Sequence, residues 1–125
     1  MNSGHPFYFY RHKNDRSEIF NYFSSLDKKV RAKIITYVVR LVASNYKLGM
    51  PYCRHIEDKI WELRVDFDKN FYRIFYFAFT KDAVLLLHGF SKKTNKTPRQ
   101  EIERAQYNYQ QFLIYRTYTT YEKTE

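Results

Sequence analysis

The sequence predicts an α+β fold: an antiparallel sheet of about four strands carrying two N-terminal helices and one C-terminal helix, in the order β-α-α-β-β-β-α. Three observations predict it. Apolar residues recur at helical spacing from Leu26 to Leu48 and again from Ile102 to Leu113. Between those stretches lie three runs dense in β-branched and aromatic residues. The connectors between the runs, Asp68-Lys-Asn70 and Thr80-Lys-Asp82, are short enough only for hairpins, which makes the three a meander.

Taken in order, Phe7-Tyr-Phe-Tyr10 is a short β-prone run and a candidate edge strand, closed by the charged stretch Arg11 to Asp15. Asp15 with Glu18 three residues later reads as a capping box, after which Ile19, Phe20 and Phe23 share one face of a short helix. In the second helix Val30, Ile34, Tyr37, Val38, Leu41 and Leu48 make the apolar face, and Gly49 and Pro51 supply the stop. Its other face carries Lys28, Lys29, Arg31, Lys33 and Arg40, a general polyanion-facing or simply solvated surface. Met50 to Glu57 reads as a loop. Ile60 to Val65 keeps charges on one face, Phe71 to Phe79 is rich in rings, and Ala83 to Phe90 is apolar on both sides, as a central strand is. Thr97-Pro98-Arg99-Gln100 reads as a helix start with Thr97 as cap and Pro98 at the first position, running to about Tyr115. One domain is expected over 1–116, followed by a loose polar tail at 117–125.

A chain of 125 residues supports one core, so function must sit on one small scaffold. Its 22 Lys and Arg against 13 Asp and Glu give a net charge of +9, which favours polyanionic partners. Most of the 13 Tyr, 11 Phe and single Trp are core material, with a few available to stack on bases. A lone cysteine, Cys53, excludes an internal disulfide and reads as a small buried residue. No apolar run approaches the roughly 18 to 20 residues of a membrane span, and the first residues lack the order of a signal peptide, so the expected location is the cytoplasm. His5, His12, His55 and His88 are scattered without metal-ligand spacing, and no Gly-rich phosphate loop is present. No metal and no cofactor are expected.

Two basic groupings carry the chemistry. If Asp68-Lys-Asn70 closes a hairpin, Arg64 falls near Arg73 across the ladder, on one face with Glu62. Two guanidiniums so placed repel, and either an anion such as phosphate neutralises them or Glu62 pairs with one of them on a wet face. The second grouping, Lys92-Lys93-Thr-Asn-Lys96-Thr-Pro-Arg99, leads from a strand into a helix N-terminus, where backbone N–H groups also attract phosphate.

Ile60-Trp-Glu-Leu-Arg64, Tyr72-Arg-Ile-Phe-Tyr76, Leu86-Leu-His-Gly-Phe-Ser-Lys-Lys93, Thr97-Pro98 and Glu101-Ile102-Glu103-Arg104-Ala105 occur in this order. Together, from about Leu48 to Tyr109, they resemble the successive signatures of the phage-derived HigB-type toxins, in the RelE/ParE superfamily of type II toxin–antitoxin systems. The resemblance implies a compact fold of helices on an antiparallel sheet, an mRNA interferase activity that commonly depends on the ribosome, and a cognate helix-turn-helix antitoxin as partner. Arg64 and Arg73 match the family's strand arginines, and Lys92 and Lys93 its basic pair after the Gly-Phe step. The turn before Trp61 departs from the usual Asp-Gly, being Asp58-Lys59. Arg54 and His55 sit where a basic residue often extends the site.

Cleavage of this type needs a base for the 2′-hydroxyl, cations for the phosphorane and an acid for the leaving oxygen. The resulting assignment gives Arg64 and Arg73 the phosphorane, and Lys92 or Lys93 the protons. Arg54, Lys59, Lys96 and Arg99 form the surrounding RNA-binding set. His88 is either a proton carrier or a satisfied core histidine, and Tyr72 and Phe90 are either base-stacking rings or core. Two other functions fit the same charge: a toxin that poisons DNA gyrase, and a non-catalytic RNA- or ribosome-binding module.

Overall fold

In the computed structural model, which describes residues 5–94 and 96–121, the elements are β1 (Phe7–Tyr10), α1 (Glu18–Ser25), α2 (Lys28–Ala43), β2 (Cys53–Glu57), β3 (Ile60–Phe67), β4 (Asn70–Thr80), β5 (Ala83–Lys92), α3 (Arg99–Tyr115) and β6 (Tyr118–Thr120). They build one six-stranded sheet in the order β2-β3-β4-β5-β1-β6. β1 runs parallel to β5; every other pairing is antiparallel. The meander and the central place of the Ala83 run stand as the sequence predicts, with Ala83 to Leu87 all buried.

The sheet has six strands rather than about four, for two reasons. Cys53–Glu57, read as loop, lacks an apolar run but pairs with the open edge of β3, Arg54 opposite Glu62. Residues 118–120, read as loose tail, pair with β1 through Tyr8↔Thr120 and Tyr10↔Tyr118. Just beyond, the Tyr121 ring lies against Phe7, Phe9 and Phe23. β1 is therefore an interior strand and β6 the edge. Residues 122–125 of the expected tail lie outside the described residues.

The helix starts also shift. α1 is capped by Ser17, whose hydroxyl accepts from the Phe20 amide and donates to the Tyr10 carbonyl, whereas Asp15 takes a left-handed φ of 71° in the preceding turn. α2 ends at Ala43, because Asn45 and Tyr46 adopt left-handed φ well before Gly49. Its buried Val30, Ile34, Val38 and Leu41 form the stripe that packs on the sheet. α3 begins one residue later than predicted: Pro98 holds the cap position with no side-chain cap bond, and the Thr97 hydroxyl is used elsewhere.

The helices divide between the two faces of the sheet. α1 lies on the side of Gly89, where Tyr22 sits directly over the glycine. α3 covers the side of Phe77 and His88 through Tyr109, Phe112 and Glu101. The two-residue turn Asp68-Lys69, with φ of 51° and 67°, closes the β3–β4 hairpin between Phe67 and Asn70 and so fixes which side chains share the α3 face.

Candidate functional site

Strand register assembles a row of cations. Arg54 on β2 stands opposite Glu62 on β3, Arg64 opposite Arg73 on β4, Arg73 opposite Phe90 on β5, and Phe71 opposite Lys92. Since alternate residues share a face, Arg54, Glu62, Arg64, Asp66, Phe71, Arg73, Phe75, His88, Phe90 and Lys92 all lie on one side of the sheet. It is the side that α3 covers, and Thr97, just before the first turn of α3, contacts Glu62 in the row.

Carboxylates interleave with the cations. Glu62, fully buried, accepts at Oε1 from Arg54 Nε at 3.2 Å and from Arg64 at 2.9 Å, and at Oε2 from the Thr97 hydroxyl at 2.7 Å. Arg73 donates to Asp66 at 3.0 Å and to the Tyr72 carbonyl at 3.0 Å. Its guanidinium also lies over the Phe71 ring, 5.3 Å from the centroid. The Glu62 reading holds in part: Glu62 does pair with arginines, but from inside the protein rather than on a wet face.

Lys92 is different. Its ammonium is out of solvent, finds no hydrogen-bond acceptor among the described residues, and sits 5.3 Å from the Phe90 ring centroid. Burial lowers its pKa from the usual lysine value, the neighbouring Arg73, Arg64 and Arg54 lower it further, and Glu62 opposes them. This is the environment that raises the neutral-amine fraction near neutral pH.

The remaining candidates separate. Arg64 and Arg73 come together with Lys92, and Arg54 joins them at the β2 end. Phe90 stacks on Phe75, whose ring is nearly parallel to that of His88. His88 Nε2 meets Glu101 of α3 at 2.6 Å, so it is tied to the helix rather than open to the row. Lys93, one residue past Lys92, turns toward the other face and donates to Asn70 at 2.6 Å. Tyr72 also lies on that other face, lining a cleft of about 650 Å³ with Lys29, Phe67 and Asn70. Lys59 is in the β2–β3 turn, beside a cavity of about 410 Å³ walled by Tyr46, His55, Trp61 and Tyr76. Arg99 is held by Glu57 and Glu103, and Lys96 is exposed. Burial pushes the Cys53 thiol pKa up, and its hydrogen bond with Tyr76 opposes this. Among the described residues no cluster of His, Cys, Asp and Glu could hold a metal ion.

Sequence reasoning missed two parts of the site. Thr97 reads as a helix cap and instead binds a carboxylate, and Asp66 is the counter-charge of Arg73. The alternation Glu62, Arg64, Asp66 was the available signal for the latter; none existed for Thr97, which lies 35 residues from Glu62.

A family model described as phage derived protein Gp49-like (DUF891) matches residues 21–110, well over half of the chain. The chain belongs to this family. The Gp49-like proteins fall within the RelE/HigB-like toxins, in agreement with the resemblance carried by the strand motifs. The matched span holds every member of the cation row, Arg54 to Lys92, and the Thr97 contact, but ends before β6. A search of curated proteins finds no match. In this Gp49-like chain no described helix is long and apolar enough to cross a membrane.

Proposed function

We propose that this Gp49-like protein is the toxin of a type II toxin–antitoxin pair of HigB type and acts as an endoribonuclease on mRNA engaged with the ribosome. The observation that carries this reading is the ammonium of Lys92, out of solvent and without an acceptor among the described residues, at the end of a row of three arginines. Such an arrangement is costly unless it receives an anion or works as a neutral amine, and a phosphodiester with a neighbouring hydroxyl uses both.

In the proposed reaction the 2′-oxygen attacks the adjacent phosphorus, the bond to the 5′-oxygen breaks, and the products are a 2′,3′-cyclic phosphate and a 5′-hydroxyl. Neutral Lys92 takes the 2′-hydroxyl proton and, as the ammonium, returns a proton to the departing 5′-oxygen. Arg64, with part of its side chain at the surface, meets the phosphorane oxygens. Arg73 is buried, so its charge acts from beneath, by adding to the burial that lowers the Lys92 pKa and to the potential at the phosphate. Arg54, Lys96 and Arg99 extend the positive surface along the RNA, with Lys59 and Lys93 at its margins. Phe90 is the ring best placed to stack on a base, whereas Tyr72 faces away. The partner on this reading is a small helix-turn-helix antitoxin, which a neighbouring reading frame would encode.

Primer extension on cellular mRNA after brief induction tests the reading. Discrete cuts that disappear in Arg64→Ala and Lys92→Ala are expected; DNA damage without cuts, or unchanged cutting by both variants, overturns it.

A further inference from the structure

Glu62 is fully buried, and among the described residues it takes donors from three separate segments: Arg54 from β2, Arg64 from β3, and Thr97 from the stretch that joins β5 to α3. A carboxylate withdrawn from water is retained only where donors replace its hydration, and here they do so from one residue of each segment. Thr97 stands just before Pro98 and Arg99, where a threonine would ordinarily cap the helix, yet α3 has no side-chain cap bond. Its hydroxyl is committed to Glu62 instead.

The stretch so fastened begins at Lys92 and carries Lys93 and Lys96. One end is fixed by the β5 ladder, through Lys92 opposite Phe71. The other end is fixed to the sheet by Thr97. We propose that Glu62 is a positioning residue and Thr97 its latch: together they hold Arg54 and Arg64 on the Lys92 side of the sheet and fasten the start of α3 there, so that a single phosphate can meet Arg64 and Lys92 at once. This rests on the ribonuclease reading above. The charged groups around Lys92 are Arg54, Glu62, Arg64 and Arg73, and Glu62 is the anion among them.

The test uses the full chain with Thr97→Val, Thr97→Ser and Glu62→Gln, read by cleavage on translating ribosomes and by hydrogen exchange of the backbone amides between Lys93 and Gln100. In Thr97→Val, exchange in that segment rises roughly tenfold and kcat falls roughly tenfold with KM nearly unchanged, the scale of one lost hydrogen bond. Thr97→Ser restores both. In Glu62→Gln, the limb of the pH–rate profile governed by Lys92 moves to lower pH, because the anion opposing its arginine neighbours is gone. A Thr97→Val protein that exchanges and cleaves like the wild type overturns the latch, as does a Thr97→Ser protein no better than valine. An unmoved pH limb in Glu62→Gln overturns the role of the carboxylate. If Glu62→Gln does not fold, the Thr97 pair decides. If the wild type cuts no RNA, the ribonuclease reading falls, and exchange alone decides the latch: faster in Thr97→Val supports it, unchanged overturns it.

Discussion

Arg64 and Arg73 stand directly opposite one another on β3 and β4, yet the Arg64 side chain keeps 14% exposure and Arg73 only 1%. Two guanidiniums in one cross-strand pair therefore have different work. Arg64→Ala is expected to lower cleavage about 100-fold, as loss of a group that contacts the phosphorane does, and to cost about 1 to 3 kcal/mol of stability because the buried Glu62 loses a donor. Arg73→Ala is expected to lose about 2 to 4 kcal/mol of stability, because a filled core position becomes a cavity. Urea unfolding beside single-turnover cleavage checks both, and an Arg64→Ala protein that cuts like the wild type, or an Arg73→Ala protein as stable as the wild type, would refute the distinction.

Lys92 and Lys93 are neighbours that serve opposite sides of the sheet. Lys92→Ala is expected to reduce cleavage by at least about 100-fold, and Lys93→Ala by far less. Stability should move the other way. A lowered lysine pKa means the folded protein binds that proton less tightly than the unfolded chain, so stability rises with pH from the folded value up to the ordinary lysine value of 10.5. At neutral pH Lys92→Met is then expected to stabilise the fold by about 1 kcal/mol while abolishing cutting. A lower urea midpoint in this variant would contradict that account.

Gly89 has no room for a side chain. A Cβ there would lie 2.6 Å from Tyr22 Cε2 and 2.7 Å from Cδ2. The ring is anchored by its hydroxyl, 2.8 Å from Ser91 Oγ, so it cannot swing away without losing that bond. Gly89→Ala should cost about 1 to 3 kcal/mol in thermal or urea unfolding, and adding Tyr22→Leu should recover part of it.

Burial pushes the Tyr22 pKa up to about 12 from 10.0, the Ser91 bond opposing it. The folded state then holds the phenolic proton more tightly than the unfolded chain. The associated stability is complete below pH 10 and is lost as pH rises through about 12. Urea midpoints measured from pH 9 upward should fall less steeply for Tyr22→Phe than for the wild type.

Tyr121 follows the last strand and touches five rings, its centroid 5.1 Å from that of Phe23, 5.6 Å from that of His5, 6.0 Å from those of Phe7 and Phe9, and 6.4 Å from that of Phe20. Tyr121→Ala is expected to cost about 2 kcal/mol, less than a fully buried aromatic because the ring is only partly covered. A melting temperature within a degree of the wild type would show that the end of the chain is dispensable.

Much of this was legible because local patterns and global packing agree. The stripe Val30, Ile34, Val38, Leu41 and the doubly buried run from Ala83 to Leu87 fold as their spacing predicts, each burying an apolar surface that has no other place to go. The facing of Arg64 on Arg73 followed from a turn short enough to allow one register. β2 and β6 were not legible, since neither has an apolar run: each exists because a neighbouring strand offers free N–H and C=O groups.

By itself, then, the sequence determined the fold class, the positive field and the basic residues from which a site could be made, because periodicity, turn length and charge are local properties. Tertiary structure decided the rest. It split Lys92 from Lys93 by strand alternation and sank Arg73 while leaving Arg64 at the surface. It also brought Thr97 across 35 residues of chain to a buried Glu62. Solvent exclusion and hydrogen-bond partners belong to the assembled sheet and helices, and these turn a list of cations into a row with one buried amine at its end.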